Sequence, residues 1–141
     1  MYDRPTLAEL ITAVRQHLEN EVIPATKTLN HKLYFQTLVA ANVLRIAERE
    51  LILAEPHLQA EWRRLNALLS EQPLPNEPAA RRAALAERNR ALCAAIRAGD
   101  YDRSEEMLQH LKACAAEQLE VANPKWLQAD LGQPKAQQGA G

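Results

Sequence analysis

The stretch NHKLYFQTLVAANVLRIAERELILA, residues 30–54, decides how this chain folds. Its apolar residues Leu33, Tyr34, Phe35, Leu38, Val39, Val43, Leu44, Ile46, Leu51, Ile52 and Leu53 cannot be confined to one stripe at 3.6 residues per turn. A helix apolar nearly all round is normally buried. At 1.5 Å per residue it makes a rod of roughly 36 Å, against which other helices can pack on several sides. The expectation is a central, buried helix.

Upstream, Thr6 followed by Glu9 has the capping-box pattern, and Leu7, Leu10, Ile11, Val14, Leu18 and Val22 then share one helical face. Pro24 is expected to stop that helix near Val22, and Asn30 to cap the next. Downstream, Pro56 predicts a break and a restart, after which Leu58, Trp62, Leu65, Leu68 and Leu69 line a third helix. The three prolines of residues 71–78 mark a loop, with Asn76 as the expected cap of a fourth helix over residues 79–98 that stops at Gly99. Asp102 or Ser104 caps a fifth, striped by Met107, Leu108, Leu111, Cys114, Leu119 and Ala122 and ended by Asn123-Pro124. These readings predict an all-α protein, a five-helix bundle around the central apolar helix at about residues 30–54. One helical domain covers residues 1–127, with Trp126 and Leu127 able to fold back onto it, and residues 128–141 form a flexible C-terminal tail.

Composition narrows the function. The 141 residues are 47% hydrophobic and 25% charged, which suits a globular domain. A formal net charge of −1 argues against generic affinity for nucleic acid or an anionic membrane. There is no apolar run of spanning length and no targeting pattern at the N-terminus, so a cytoplasmic location is expected. Cys93 and Cys114 fall on the apolar sides of two predicted helices, as small buried thiols rather than a disulfide framework.

Catalytic signatures are sparse. The glycines are Gly99, Gly132, Gly139 and Gly141, so neither a P-loop nor a dinucleotide-binding turn can be built. Ser70 and Ser104 lie outside any nucleophile-elbow context. His110, Cys114 and Glu117 are spaced to meet on one side of a helix, but no second ligand pair accompanies them. That spacing is read as chance, with no metal and no cofactor assigned, and His17, His31 and His57 as surface or cap residues. Arg81, Arg82, Arg88 and Arg90 are interleaved with glutamates and read as a solvated face.

The polar residues Asn42, Arg45 and Arg49 project within about 60° of one another from the most apolar helix in the chain. Buried and unpaired, they would cost several kcal/mol. Two readings remain open: an internal network with an acidic residue from the first or fifth helix, or a groove recognising a partner protein or an anionic ligand, to which arginine forks are suited.

Four stretches carry a family resemblance: DRPT at residues 3–6, AANVLRIAEREL at 40–51, LCAAIRAGDYD at 92–102 and VANPKWL at 121–127. Together they resemble an uncharacterised family of small bacterial helical proteins encoded beside aminoglycoside-phosphotransferase-like kinases and acyl-CoA dehydrogenases. Within it the chain looks most like the small subunit accompanying a 4-hydroxyacyl-CoA kinase in levulinate-type catabolism. The resemblance covers roughly residues 3–127 and carries no catalytic residue over. It implies a non-catalytic partner of the kinase, with an acyl-CoA dehydrogenase-like protein acting on the phosphorylated product. Asn42, Arg45, Arg49 and Trp126 are the expected contacts, the arginines pairing with acidic groups and the indole acting as an anchor. The alternative is a stand-alone carrier that holds an acyl-CoA between helices, with arginines of the fourth helix near its phosphates.

Overall fold

The computed structural model describes residues 4–130, with side chains through residue 127. Helix makes up 81% of the described residues and no strand occurs among them, so the fold is an all-α helical bundle. The elements are α1 (Leu7–His17), a π turn (Leu18–Val22), α2 (Ile23–Thr26), α3 (His31–Leu68), α4 (Pro78–Ala98), α5 (Glu105–Ala122) and α6 (Lys125–Asp130). They group into two compact units, Met1–Leu53 and Ala54–Gly141. Helix α6 extends through the first residues of the expected tail, whose remainder, residues 131–141, lies outside the described residues. No described helix is long and apolar enough to cross a membrane.

Most of the terminal signals act as their chemistry dictates. Thr6 Oγ1 accepts from the Glu9 amide at 3.2 Å while the Glu9 carboxylate accepts from the Thr6 amide at 2.7 Å, completing the capping box of α1. Asn30 Oδ1 accepts from the Leu33 amide at 3.0 Å, and Ser104 Oγ from the Met107 amide at 3.1 Å. Gly99 closes α4 at φ 87°, in the left-handed region that favours glycine. Asn76 is not the cap of α4: Pro78 occupies its first turn, so Glu77 takes the cap position, without a side-chain bond.

The two helix stops expected at prolines do not occur. At Leu18–Val22 the helix widens into a π turn, where the Ile23 amide donates to the Leu18 carbonyl. Pro24 then stands in the first turn of α2, where a missing N–H leaves nothing unmatched. Helix α3 continues through Pro56, so the central and third predicted helices are one element of 38 residues. An interior proline costs about 3 kcal/mol. Burying Leu58 and Trp62 just downstream, at about 2 kcal/mol each, is enough to offset it. Glu55 pairs with Arg81, and His57 Nε2 lies 3.1 Å from Glu120 Oε2, anchoring both neighbours of the proline within the second unit.

That second unit has a three-helix core. Leu65 of α3, Leu92 of α4 and Met107 of α5 are buried together, with Leu68, Leu69, Leu85 and Tyr101 packed around them. The exit of α3 is tied down by Arg88 of α4, which is buried rather than on the solvated face expected for it. Its guanidinium donates to the carbonyls of Leu65 at 2.9 Å and Ser70 at 2.7 Å and to Asn66 Oδ1, and lies 4.6 Å from the Trp62 ring centroid. Trp62 Nε1 in turn donates to the Gln72 carbonyl at 3.0 Å, and the Tyr101 hydroxyl to the Leu68 carbonyl at 2.7 Å. The thiols differ from expectation: Cys93 is exposed and Cys114 half-buried, because Cys93 stands just past the narrow seam of α4 that Leu92 fills.

Truncating Arg88→Ala takes the donor from the Ser70 carbonyl, leaves the Leu65 carbonyl with the Leu69 amide alone and removes the contact on the Trp62 ring; it is expected to cost about 3 kcal/mol of stability, lowering the thermal midpoint by roughly 10 °C. Arg88→Lys should not restore it, because an ammonium cannot fork across both carbonyls and stack on the indole. Circular-dichroism melting of the two variants checks this; a lysine variant as stable as the parent would contradict the capping role.

Candidate functional site

The first unit has helices but little core. Among its described residues the only buried hydrophobic one is Ala41, and the buried polar residues, Thr26 and Thr37, return their hydroxyls to their own helical runs, to the carbonyls of Val22 and Leu33 at 2.8 Å each. These bonds satisfy the hydroxyls locally, so burying them adds little tertiary specificity. The apolar stripe expected to seat α1 is divided: Leu7, Leu10 and Val14 are exposed, whereas Ile11 and Leu18 are half-buried.

The charged residues supply what the core lacks. Arg15 Nε donates to Glu48 Oε2 at 2.8 Å and its Nη1 to Glu19 Oε2 at 2.7 Å, while Arg45 Nη2 lies 2.6 Å from Glu19 Oε1. A hydrogen bond from the Thr12 hydroxyl, with Arg15 and Arg45 nearby, holds the Glu48 carboxyl below the ordinary value of 4.5 despite burial. Of the predicted contacts, Arg45 thus has its carboxylate from the first helical run, the internal alternative. Arg49 is half-buried and Asn42 exposed.

The predicted burial of residues 30–54 is where structure and expectation part. Thr37, Ala41, Leu44 and Glu48 share the inner side of this part of α3 at 3.6 residues per turn. On the opposite side Phe35, Val39 and Val43 succeed one another a turn apart, at 61%, 47% and 56% exposure. Asn42 and Arg49 lie along the edge of this stripe by the same spacing. Isolated apolar side chains on a surface need no explanation; a run of large ones on successive turns, edged by polar groups, has the make-up of a protein contact. The apolar residues run all round the helix, and within the first unit only one of its sides is covered.

Trp126, the fourth predicted contact, belongs to the second unit. It sits on α6, 66% exposed, and does not fold back as its apolar surface suggests. The same unit holds a groove of about 580 Å3 lined by Arg64, Leu68, Glu106, Gln109, His110 and Ala113. Arg64 spans to Glu117 through Nη1 at 2.8 Å and Nη2 at 2.6 Å, with Nη2 also 3.8 Å from Cys114 Sγ. Glu117 raises the basicity of Arg64, burial lowers that of His110, and burial raises the pKa of the Cys114 thiol. Glu117 is therefore taken up by an arginine. The carboxylate near His110 and Cys114 is instead Glu61 of α3, which no spacing within α5 could have revealed.

Of the fourth-helix arginines expected near a bound phosphate, Arg82 and Arg90 are exposed, whereas Arg81 and Arg88 are committed within the fold. Arg81 donates to the Pro75 carbonyl at 2.7 Å and the Asn76 carbonyl at 3.1 Å as well as to Glu55, and Arg88 is enclosed as described.

A family model described as a domain of unknown function, DUF6285, matches residues 27–126. No curated protein and no solved structure matches the chain.

Because the Glu48 carboxyl is held low in the fold, the stability it contributes is present above the ordinary glutamate range and is lost as pH falls through its lowered folded-state value. Thermal melting between about pH 7 and about pH 3 should therefore fall more steeply for the parent than for Glu48→Gln. Parallel pH profiles would show that this carboxylate is not coupled to folding.

Proposed function

The chain belongs to the DUF6285 family, and on that premise we propose that it is a non-catalytic subunit of a phosphotransferase-family kinase that phosphorylates 4-hydroxyacyl-CoA. The observation that carries this reading is the uncovered face of α3 in the first unit, where Phe35, Val39 and Val43 stand exposed on successive turns. Such a face suits a helix of a larger protein laid along it, with the apolar side chains as anchors and Asn42 and Arg49 at the rim. The lack of any Gly-rich phosphate-binding turn agrees with a kinase that supplies its own ATP site. The family resemblance supplies the partner: an aminoglycoside-phosphotransferase-like kinase, with an acyl-CoA dehydrogenase-like protein next in sequence and the cytoplasm as the place of action. Arg45, Arg49 and Trp126 are its further contacts.

The alternative of a stand-alone acyl-CoA carrier has the groove beside Arg64 in its favour. It has little support from α4, since Arg81 and Arg88 spend donors on backbone carbonyls.

Co-expression with the aminoglycoside-phosphotransferase-like kinase, only one chain being tagged, is expected to give a stoichiometric complex on size-exclusion chromatography. Phosphoryl transfer to a 4-hydroxyacyl-CoA should need both chains. Val39→Glu with Val43→Glu should abolish co-elution while leaving the helical content of the free protein intact, since both side chains face outward. Arg45→Ala with Arg49→Ala should weaken kinase activation. Full activity of the kinase alone without co-elution would remove the subunit reading, and heat on titrating the isolated protein with a CoA ester would then favour the carrier.

A further inference from the structure

Three side chains of metal-ligating type converge between α3 and α5. Glu61 comes from α3, and His110 and Cys114 stand one turn apart on α5, with one ligand atom of each within 4.8 Å of the other two. His110 Nε2 and Cys114 Sγ are 3.6 Å apart. For a tetrahedral ion with Zn–N near 2.0 Å and Zn–S near 2.3 Å, the nitrogen-to-sulfur edge is about 3.5 Å. The two side chains already stand at that edge.

Surrounding groups fit the same chemistry. His110 is 3% exposed and turns its Nε2 to the Cys114 sulfur, so the ring is enclosed beside the thiol. Asn89 Nδ2 donates to Glu61 Oε1 at 2.7 Å, fixing the carboxylate as outer partners of metal ligands do. Arg64 is matched in charge by Glu117, which leaves the Glu61 carboxylate for a divalent cation to balance, with the Cys114 thiol losing its proton as the ion binds. His110 also lines the groove beside Arg64, which supplies an entry path.

We infer that Glu61, His110 and Cys114 form a binding site for a zinc-type divalent ion, three protein ligands leaving a fourth position to water or a small anion. Three donors and an open position are the make-up of a zinc site that can act on a ligand rather than one that only braces a fold. The site lies wholly in the second unit and stands independently of the partner reading.

The test uses the full chain, stripped of metal with a chelator. Titration with zinc chloride followed by calorimetry should saturate at one ion per chain, and cobalt(II) should produce a thiolate-to-cobalt charge-transfer band. Cys114→Ser should lose that band, and His110→Gln and Glu61→Gln should each weaken zinc at least about ten-fold, whereas His31→Gln should leave it unchanged. No stoichiometric heat, a cobalt spectrum of the parent protein without the band, or undiminished zinc affinity in Cys114→Ser would each overturn the site. The spectrum of the parent needs no substitution, so a variant that fails to fold does not shelter the inference.

Discussion

The guanidinium of Arg88 brings a full positive charge into the interior of the second unit, and the path of the chain there depends on how that charge is accommodated. Where α3 ends, the Leu65 carbonyl keeps the Leu69 amide as a donor at 2.9 Å, while the Ser70 carbonyl, just past the helix, takes its donor from another element. Arg88 meets the Leu65 and Ser70 carbonyls with one planar group, reaches Asn66, and rests on the face of Trp62, whose own N–H holds Gln72. The loop to α4 and α4 itself meet at that closure, beside the cluster in which Leu65 packs with Leu92 and Met107. An unusual side chain at the centre is thus explained by the geometry of a helix end rather than by a ligand.

The first unit is built on a different balance. Arg15, Glu19, Glu48 and Arg45 link its two helical runs by charge and hydrogen bonds, while most of its large apolar side chains stay outside. Partly exposed ion pairs contribute at most about 1 kcal/mol each, less than one well-buried leucine. Pairing of this kind fixes how the helices face each other more than it holds them together. It leaves apolar surface for use elsewhere, which is the reason the subunit reading rests on this unit rather than on the groove of the other.

Local signals in the sequence are legible wherever they act within a few residues. The Thr6 and Glu9 capping box, the Asn30 and Ser104 caps, the Gly99 stop and the all-helical class can be read directly. Prolines mislead because their effect depends on the packing of the residues around them: Pro24 is absorbed by a π turn, and Pro56 by the burial of Leu58 and Trp62. The all-round hydrophobicity of residues 30–54 reads as burial, yet hydropathy states only that a surface should be covered, not by which chain. For the same reason the clustering of Asn42, Arg45 and Arg49 can be read from one helix, while their partners cannot. Glu61 meeting His110 and Cys114, and Arg88 reaching the end of α3, join positions distant in sequence through packing, and a single chain carries no periodic trace of such meetings.

The uncovered face of α3 has a consequence for how much of this protein a cell can usefully keep. With the proposed partner laid against that face, a unit whose apolar surplus points outward would gain part of its stability by mass action. At a hundred-fold excess of a partner over its dissociation constant the gain is about 2.7 kcal/mol, a large share of the margin by which most domains stay folded. On the proposed subunit reading, the durability of the first unit would track the supply of its companion, and chains made in excess would be the ones most exposed to aggregation and proteolysis.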